Sequence, residues 1–256
     1  MSLAADVALA HRLADAAGSA IRPHFRAGTA VEQKRDMTPV TEVDRAAEAA
    51  MREILDRDRP ADGILGEEFG GKRPTGRRVW VLDPIDGTRA FIAGRPIFGT
   101  LIALLEEGIP VLGMIDQPIA KDRWVGRLDA AMGTTLNGRP VRVRPCGSLG
   151  EARAATTSPA AFSAGGHAAF QRIGGQVADM LFGGDCHNYG LLAAGHVDLV
   201  IEEGLQPWDW AALVPIVKGA GGHISDWRGR PLMLGASGHV IASGDRRVHE
   251  AVLARL

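Results

Sequence analysis

Two aspartates three positions apart, Asp83 and Asp86, stand in the stretch of this chain best equipped for chemistry, Val79-Trp80-Val81-Leu82-Asp83-Pro84-Ile85-Asp86-Gly87-Thr88. Residues 79–82 are apolar, rich in β-formers, and lie between a basic Gly/Pro-containing loop and a turn signal, which predicts a short buried strand. Pro84 has no N–H to give a sheet ladder, so the strand is expected to stop there, just beyond Asp83. The Ile85 carbonyl and the Asp86 carboxylate can then turn with Asp83 toward one point. Hard divalent cations such as Mg²⁺ take carboxylate and carbonyl oxygens, and Mg²⁺ usually keeps waters and accepts a substrate phosphate as a further ligand. Gly87 and Thr88 follow at once. A helix beginning there would aim its free backbone N–H groups at the same place, which suits an anion. A cation site and an anion cradle within six residues point to metal-assisted phosphate chemistry.

Four other acidic residues, in three places, invite the same reading, each place with a structural alternative. Glu67 and Glu68 are adjacent acids between Gly66 and Gly70; they repel each other, so they belong either in a solvated loop or beside a cation. Asp44 falls in the first turn of an expected helix, where an acid also suits the helix dipole. Asp209 stands between Trp208 and Trp210 just after Pro207, and an N-terminal cap would explain it equally well.

The elements that must position these residues follow from the apolar pattern. Positions 3, 7, 10, 13, 14, 17 and 21 repeat at helical spacing, and Pro23 and Gly28 mark the end of that helix. Residues 31–34 predict a brief strand and 38–41 a loop whose threonine caps a helix from 42 to about 58, with Lys34 and Asp44 flanking the loop. A turn and strand at 62–65, a basic connection at 72–78 without an assigned role, a short helix after Thr88, a hairpin over 98–115 and further antiparallel elements around 123–127 and Asn137-Gly138 complete the first half. Pro145-Cys146-Gly147-Ser148 is the expected boundary, dividing residues 1–145 from 146–256. The second half alternates strands near 153–157, 177–182, 197–202, 222–227 and 238–243 with helices, including one spanning 208–220, and reads as an α/β layer.

Composition narrows the class. With 256 residues, the chain has ample apolar content for one large or two small domains. A formal net charge of −1 gives no general attraction to nucleic acid or an anionic membrane. Cys146 and Cys186, the only two cysteines, fit no paired zinc spacing and suit a reducing cytoplasm. Asp6, His11, Arg12 and Asp15 interrupt the N-terminal apolar stretch, so neither a signal peptide nor a membrane span is expected.

Gly66-Glu67-Glu68, Asp83-Pro84-Ile85-Asp86-Gly87-Thr88 and Trp208-Asp209, in that order, resemble the inositol monophosphatase superfamily of metal-dependent, lithium-sensitive phosphatases, over nearly the whole chain. The resemblance implies a layered αβαβα sandwich of the inositol monophosphatase/fructose bisphosphatase type, an α/β fold in which an α+β metal-binding half meets an α/β specificity half. It implies Glu67, Asp83 and the Ile85 carbonyl as ligands of one Mg²⁺, and Asp83, Asp86 and Asp209 as ligands of a second. Asp44 would serve a further, weaker metal or its waters, Thr88 would orient the attacking water, and the Gly87 and Thr88 amides would hold phosphate. Glu68 is not a ligand by this match. A homodimer is also implied, as is common in the family.

Asp185 and Glu202 align with the family's substrate-facing loop and strand. Two carboxylates near the alcohol moiety suit an amine and an imidazole, through charge-assisted hydrogen bonds. The strings at 88–94, 113–118 and 184–186 are similar to the histidinol-phosphate phosphatase branch, which makes L-histidinol phosphate, in histidine biosynthesis, the expected substrate. Gln206-Pro207-Trp208-Asp209 departs from some members of that branch in its tryptophan. Inositol 1-phosphate is the nearest alternative, ahead of nucleotide 3′-phosphates and of a binding protein that keeps the metal site without turnover. Fructose 1,6-bisphosphate fits poorly because residues 183–206 contain no lysine or arginine. Asp185 has an alternative reading as a helix cap.

Overall fold

The computed structural model describes residues 2–28, 31–33 and 39–256, with the backbone alone at 31–33, 39 and 40. Helix α1 (Ala4–Ile21) and helix α2 (Glu42–Asp58) flank a small antiparallel pair, β1 (Val31–Gln33) and β2 (Pro39–Thr41). Residues 39–41, expected as loop, are thus a strand; Lys34 and Thr38 lie outside the described residues. Thr41 caps α2 as expected, accepting from the Val43 amide at 3.2 Å.

An eight-stranded sheet follows, formed by β3 (Gly63–Gly66), β4 (Gly70–Lys72), β5 (Arg78–Asp86), β6 (Gly99–Glu106), β7 (Ile109–Gln117), β8 (Asp122–Arg127), β9 (Gly133–Leu136) and β10 (Arg139–Val141). Its order is β10-β9-β8-β7-β6-β5-β3-β4, antiparallel except between β3 and β5. Short helix α3 (Thr88–Ile92) leaves the end of β5. A five-stranded mixed sheet contains β11 (Arg153–Thr156), β12 (Asp179–Phe182), β13 (Leu199–Glu202), β14 (His223–Ser225) and β15 (Val240–Ser243), in the order β12-β11-β13-β15-β14. Helices α4 (Ala164–Gly174), α5 (Cys186–Ala193), α6 (Pro207–Trp210), α7 (Leu213–Gly219) and α8 (Arg246–Leu253) are interleaved with these strands.

Side-chain alternation on β5 shows how the layers form. Trp80 and Leu82 point to one face of the large sheet and pack with Leu13 of α1 and Met51 and Leu55 of α2. Val79 and Val81 point to the other, against Tyr189 of α5, Val214 of α7 and Val200 and Val240 of the smaller sheet. Ile173 of α4 and Val248 and Val252 of α8 cover the remaining face of that sheet, beside Ile201 and Ile241. The result is the expected αβαβα sandwich.

The helix expected over 208–220 is divided into α6 and α7. Pro215 supplies the reason, because it has no N–H to donate to the Ala211 carbonyl four residues earlier. No described helix is long and apolar enough to cross a membrane.

Candidate metal and phosphate site

Strand β5 does not stop at Pro84. It continues to Asp86, with a register shift: Asp83 pairs with Leu101 and Asp86 with Gly99, so three steps along β5 match two along β6. Pro84 is accommodated in this bulge, where no ladder N–H is required, and its carbonyl accepts from Thr100 Oγ1 at 2.8 Å. Residues three apart in a regular strand face opposite sides. The extra residue cancels that alternation and lets Asp83 and Asp86 converge.

Asp209 meets them from the second half of the chain. Carboxylate oxygens of Asp83, Asp86 and Asp209 all lie within 4.8 Å of one another. Asp209 is held by its own helix start, accepting from the Gln206 amide at 2.7 Å. It sits at the third helical position rather than at the cap, which is Gln206. Glu67 directly follows β3, and its amide is bonded to the Leu82 carbonyl at 3.2 Å. Its side chain shares a hydrogen bond with Asp83. Asp44, almost fully buried, closes a reciprocal cap with Thr41, whose amide and hydroxyl donate to Asp44 Oδ2 at 2.8 and 2.5 Å. Asp44 Oδ1 is buried with no hydrogen-bond partner among the described residues.

These acids strain one another electrostatically. Burial, then Glu67, Asp86 and Asp209, pushes the Asp83 carboxyl well above the usual carboxylate range. Burial, then Asp185 and Asp209, does the same to Asp86. Asp209 is pushed up to about 7, chiefly by burial, with Glu67 and Asp185 adding to it. Asp44 is raised by burial and, to a lesser degree, by Glu67. A crowded set of carboxylates, Asp44 and Asp83 buried and Asp86, Asp209 and Glu67 partly so, with one buried oxygen unpartnered, fits a hard divalent cation that would cancel the repulsion. It does not suit zinc, which prefers nitrogen and sulfur donors.

A pH signature follows. Acids with a folded-state pKa raised above the unfolded value hold protons that the unfolded chain releases, so stability is fully present below pH about 4 and is lost as pH rises through the folded values. The chelator-treated protein is therefore expected to melt at least about 5 °C lower at pH 8 than at pH 5. Added Mg²⁺ should reduce or reverse that difference, because ligation requires the deprotonated acids. Differential scanning calorimetry with and without chelator checks this, and identical pH slopes in both conditions would count against the cation assignment.

Beside the acids lies the expected phosphate turn. Gly87 has φ +86 and forms the N-cap of α3, a left-handed conformation that favours glycine. Thr88 Oγ1 donates to the Ile85 carbonyl at 3.0 Å, while the Ile85 amide donates to Asp83 Oδ1 at 3.0 Å. The two halves are stitched together here: the Cys186 amide donates to Asp86 Oδ2 at 2.6 Å. Asp185 Oδ2 lies 3.0 Å from the point where a Cβ on Gly87 would stand. Asp185 makes no side-chain cap bond to α5, contrary to the helix-cap alternative. Its own backbone, at φ 45 and ψ −131, occupies a region costly for a residue with a side chain.

Glu202 has different surroundings. It is buried on β13, and its oxygens accept from the Thr157 amide at 2.7 Å, Thr157 Oγ1 at 2.8 Å and Thr156 Oγ1 at 3.3 Å. Burial raises its carboxyl to about 7, with Asp185 also contributing. Glu202 thus braces the turn after β11 and faces Asp185 with part of its hydrogen-bonding capacity already used.

Two features escaped sequence reasoning. Glu48, fully buried on α2, accepts from the Glu68 and Phe69 amides at 2.8 and 3.3 Å and pairs with Arg52 at 2.7 Å. It holds the turn that presents Glu67, and a Cβ on Gly66 would collide with its carboxylate. The available signal was its i,i+4 spacing from Asp44, which puts both acids on one helix face. Glu48→Ala is expected to cost roughly 3 kcal/mol of stability by stranding Arg52 and two amides, read from urea unfolding. The second feature is Arg89 and Arg95, which act on Asp185 from the α3 side. They supply cations opposite a segment that has none, so its lack of basic residues does not by itself exclude an anionic leaving group.

Comparison with known proteins agrees with this architecture. The profile described as the inositol monophosphatase family matches residues 3–256. The chain is 47% identical over 258 residues to the bifunctional phosphatase IMPL2, chloroplastic, of Arabidopsis thaliana, covering 97% of this chain and 74% of that protein. It is 37% identical over 257 residues to the histidinol-phosphatase of Mycobacterium tuberculosis, covering 98% and 97% of the two chains. A solved inositol monophosphatase from Zymomonas mobilis superposes with a TM-score of 0.92 at 54% identity, covering 100% of this chain and 98% of that one. The chain belongs to the inositol monophosphatase family and is a phosphatase of that metal-dependent kind.

Proposed function

We propose that this protein is a Mg²⁺-dependent phosphomonoesterase that converts L-histidinol phosphate and water to L-histidinol and phosphate, in histidine biosynthesis. The observation that carries the substrate choice is Asp185, an acid unused by its own helix and set against the phosphate turn at Gly87. A leaving group bearing an amine gains charge-assisted hydrogen bonds from it. Similarity to a histidinol-phosphatase over nearly the full chain supports the same choice.

Glu67, Asp83 and the Ile85 carbonyl would hold one Mg²⁺, and Asp83, Asp86 and Asp209 a second, with Asp44 serving a third or its waters. When bound, these ions lower the pKa of a water and offset charge on the phosphate and the leaving oxygen. The protein's own groups do the rest. Thr88 Oγ1 spends its proton on the Ile85 carbonyl, so its lone pairs can accept from the attacking water and aim it. Glu67, which shares a hydrogen bond with Asp83, fixes the orientation of that carboxylate. The Gly87 and Thr88 amides hold equatorial phosphate oxygens, where charge spreads in a loose transition state. No covalent intermediate on the chain is required.

On this reading residues 1–145 supply most of the metal-binding half and 146–256 the specificity half, in a cytoplasmic homodimer. Inositol 1-phosphate is the second reading, favoured by the 54% identity to a protein described as an inositol monophosphatase. Phosphate release from L-histidinol phosphate and from D,L-inositol 1-phosphate, compared side by side with Mg²⁺, with chelator and with lithium, separates them. Strong Mg²⁺-dependent preference for histidinol phosphate is the expected result. Preference for the inositol ester would overturn the substrate and keep the chemistry, and release of phosphate from neither would remove both substrates.

A further inference from the structure

The carboxylate cluster is bordered by two guanidinium groups that the reaction described above does not use. Arg89 is exposed on the first turn of α3, next to Thr88. Arg95, also exposed, follows the end of that helix, and its Nη atoms lie 3.3 and 3.4 Å from where a Cβ on Gly183 would stand. Against the burial that raises the Asp185 carboxyl, both act to lower it, Arg95 more strongly than Arg89. Asp185 itself leans on Gly87. The two arginines therefore flank the mouth of the turn expected to receive phosphate.

The position of Arg95 is built rather than incidental. Arg26 Nε and Nη2 both donate to the Gly94 carbonyl, at 2.9 and 2.7 Å, and the Arg95 amide donates to the Ala90 carbonyl at 2.8 Å. These bonds fold the chain back at the end of α3 and carry Arg95 toward Gly183. Among the described residues, no direct carboxylate hydrogen bond occupies either Arg89 or Arg95, unlike Arg123 and Arg127, whose guanidiniums are bonded to Asp116 and Asp129.

Charge explains what such a pair is for. Asp44, Glu67, Asp83, Asp86, Asp185 and Asp209 concentrate negative charge where a phosphate dianion must arrive. Cations held by those carboxylates would answer that charge where they are ligated, whereas a dianion approaching from solvent first meets the exposed residues around the cluster. Exposed cations at a rim act over roughly 8 Å at physiological salt and raise the frequency of productive encounter. Their flexible stems also let them follow an oxygen of the ester as it seats.

We propose that Arg89 and Arg95 form a capture rim for the phosphate dianion, speeding its entry to the acidic cluster and helping to retain orthophosphate, without taking part in bond cleavage. The assignment rests on the phosphatase reading of the site. It accounts for two cations facing a substrate segment that contains none, and it applies to any phosphomonoester regardless of its alcohol.

The test is the double variant Arg89→Gln/Arg95→Gln in the full chain, with Arg139→Gln/Arg142→Gln as the charge-matched control. Those two exposed arginines lie on and just after β10, an edge strand of the large sheet. Steady-state kinetics with Mg²⁺ across a salt series, and calorimetric binding of orthophosphate with Mg²⁺, are measured for all three proteins. At low salt the rim variant should lose roughly tenfold in kcat/KM with kcat nearly retained, and its salt dependence should be clearly shallower. Its orthophosphate affinity should weaken several-fold, while the control follows the parent protein. Parallel salt profiles for all three proteins, or equal losses in kcat and kcat/KM, would overturn the capture role. If the parent protein hydrolysed no phosphomonoester, the phosphatase reading would fail by itself. Orthophosphate binding would still judge the rim, because unchanged affinity in the rim variant would overturn it.

Discussion

Asp83→Asn and Asp209→Asn are each expected to lower phosphate release by at least about 10³-fold, because on the proposed mechanism each removes a charged oxygen from the metal site that stabilises nucleophile and leaving group. Asp83 is the more sensitive of the two. It is almost fully buried, it lies within reach of Asp86, Asp209 and Glu67, and its Oδ1 also accepts from the Ile85 amide that shapes the bulge. Asparagine keeps an acceptor for that amide but removes the negative charge. The same substitution should raise the melting temperature of the chelator-treated protein, since one of several mutually repelling buried acids has gone. It should also shrink the rise in melting temperature that Mg²⁺ produces. Opposite movements of activity and metal-free stability distinguish loss of a ligand from simple misfolding. Near-normal turnover in either variant would remove that acid from the metal assignment.

For Asp185→Ala the expected result is selective. Hydrolysis of L-histidinol phosphate should fall by about 2 kcal/mol in kcat/KM, or roughly 30-fold, while a neutral polyol phosphate loses much less. The position of the carboxylate sets this selectivity. It is set against Gly87 on one side and is influenced by Arg95 and Arg89 on another, and it caps no helix. On the proposed substrate assignment, truncation therefore removes a charge from the leaving-group end without uncapping α5. The strained backbone at residue 185 persists in alanine, so a drop in stability is not the expected cause of the selectivity. Equal losses on both esters, measured as kcat/KM in parallel assays, would assign Asp185 to general architecture.

The readable parts of this molecule were those with local causes. Helix α2 begins and ends where a capping threonine and the apolar repeat of Val43, Ala47, Met51 and Leu55 require. The hairpin of β6 and β7 follows from two apolar runs around Glu107 and Gly108, both at positive φ. Pro84, whose missing N–H predicts the end of a strand, instead lies inside a bulge that only pairing with β6 creates. The division between α6 and α7 was legible in principle from Pro215 and was obscured by the continuous apolar pattern around it.

Side-chain chemistry and order along the chain determined a great deal: a cluster of oxygen donors, a glycine turn beside it, and a family resemblance that carries the layered fold. What only the tertiary structure decided is which groups share a space. Asp209 approaches Asp83 and Asp86 across more than a hundred residues, Glu48 supports the Glu67 turn from a helix, and Arg89 and Arg95 face a segment devoid of cations. Glu202, read from sequence as facing substrate, is bound by Thr156 and Thr157. Local sequence sets backbone preference over a few residues, whereas charge and hydrogen bonding act through distance. Packing two sheets face to face around α5, α6 and α7 sets those distances, and no pattern within a single element encodes them.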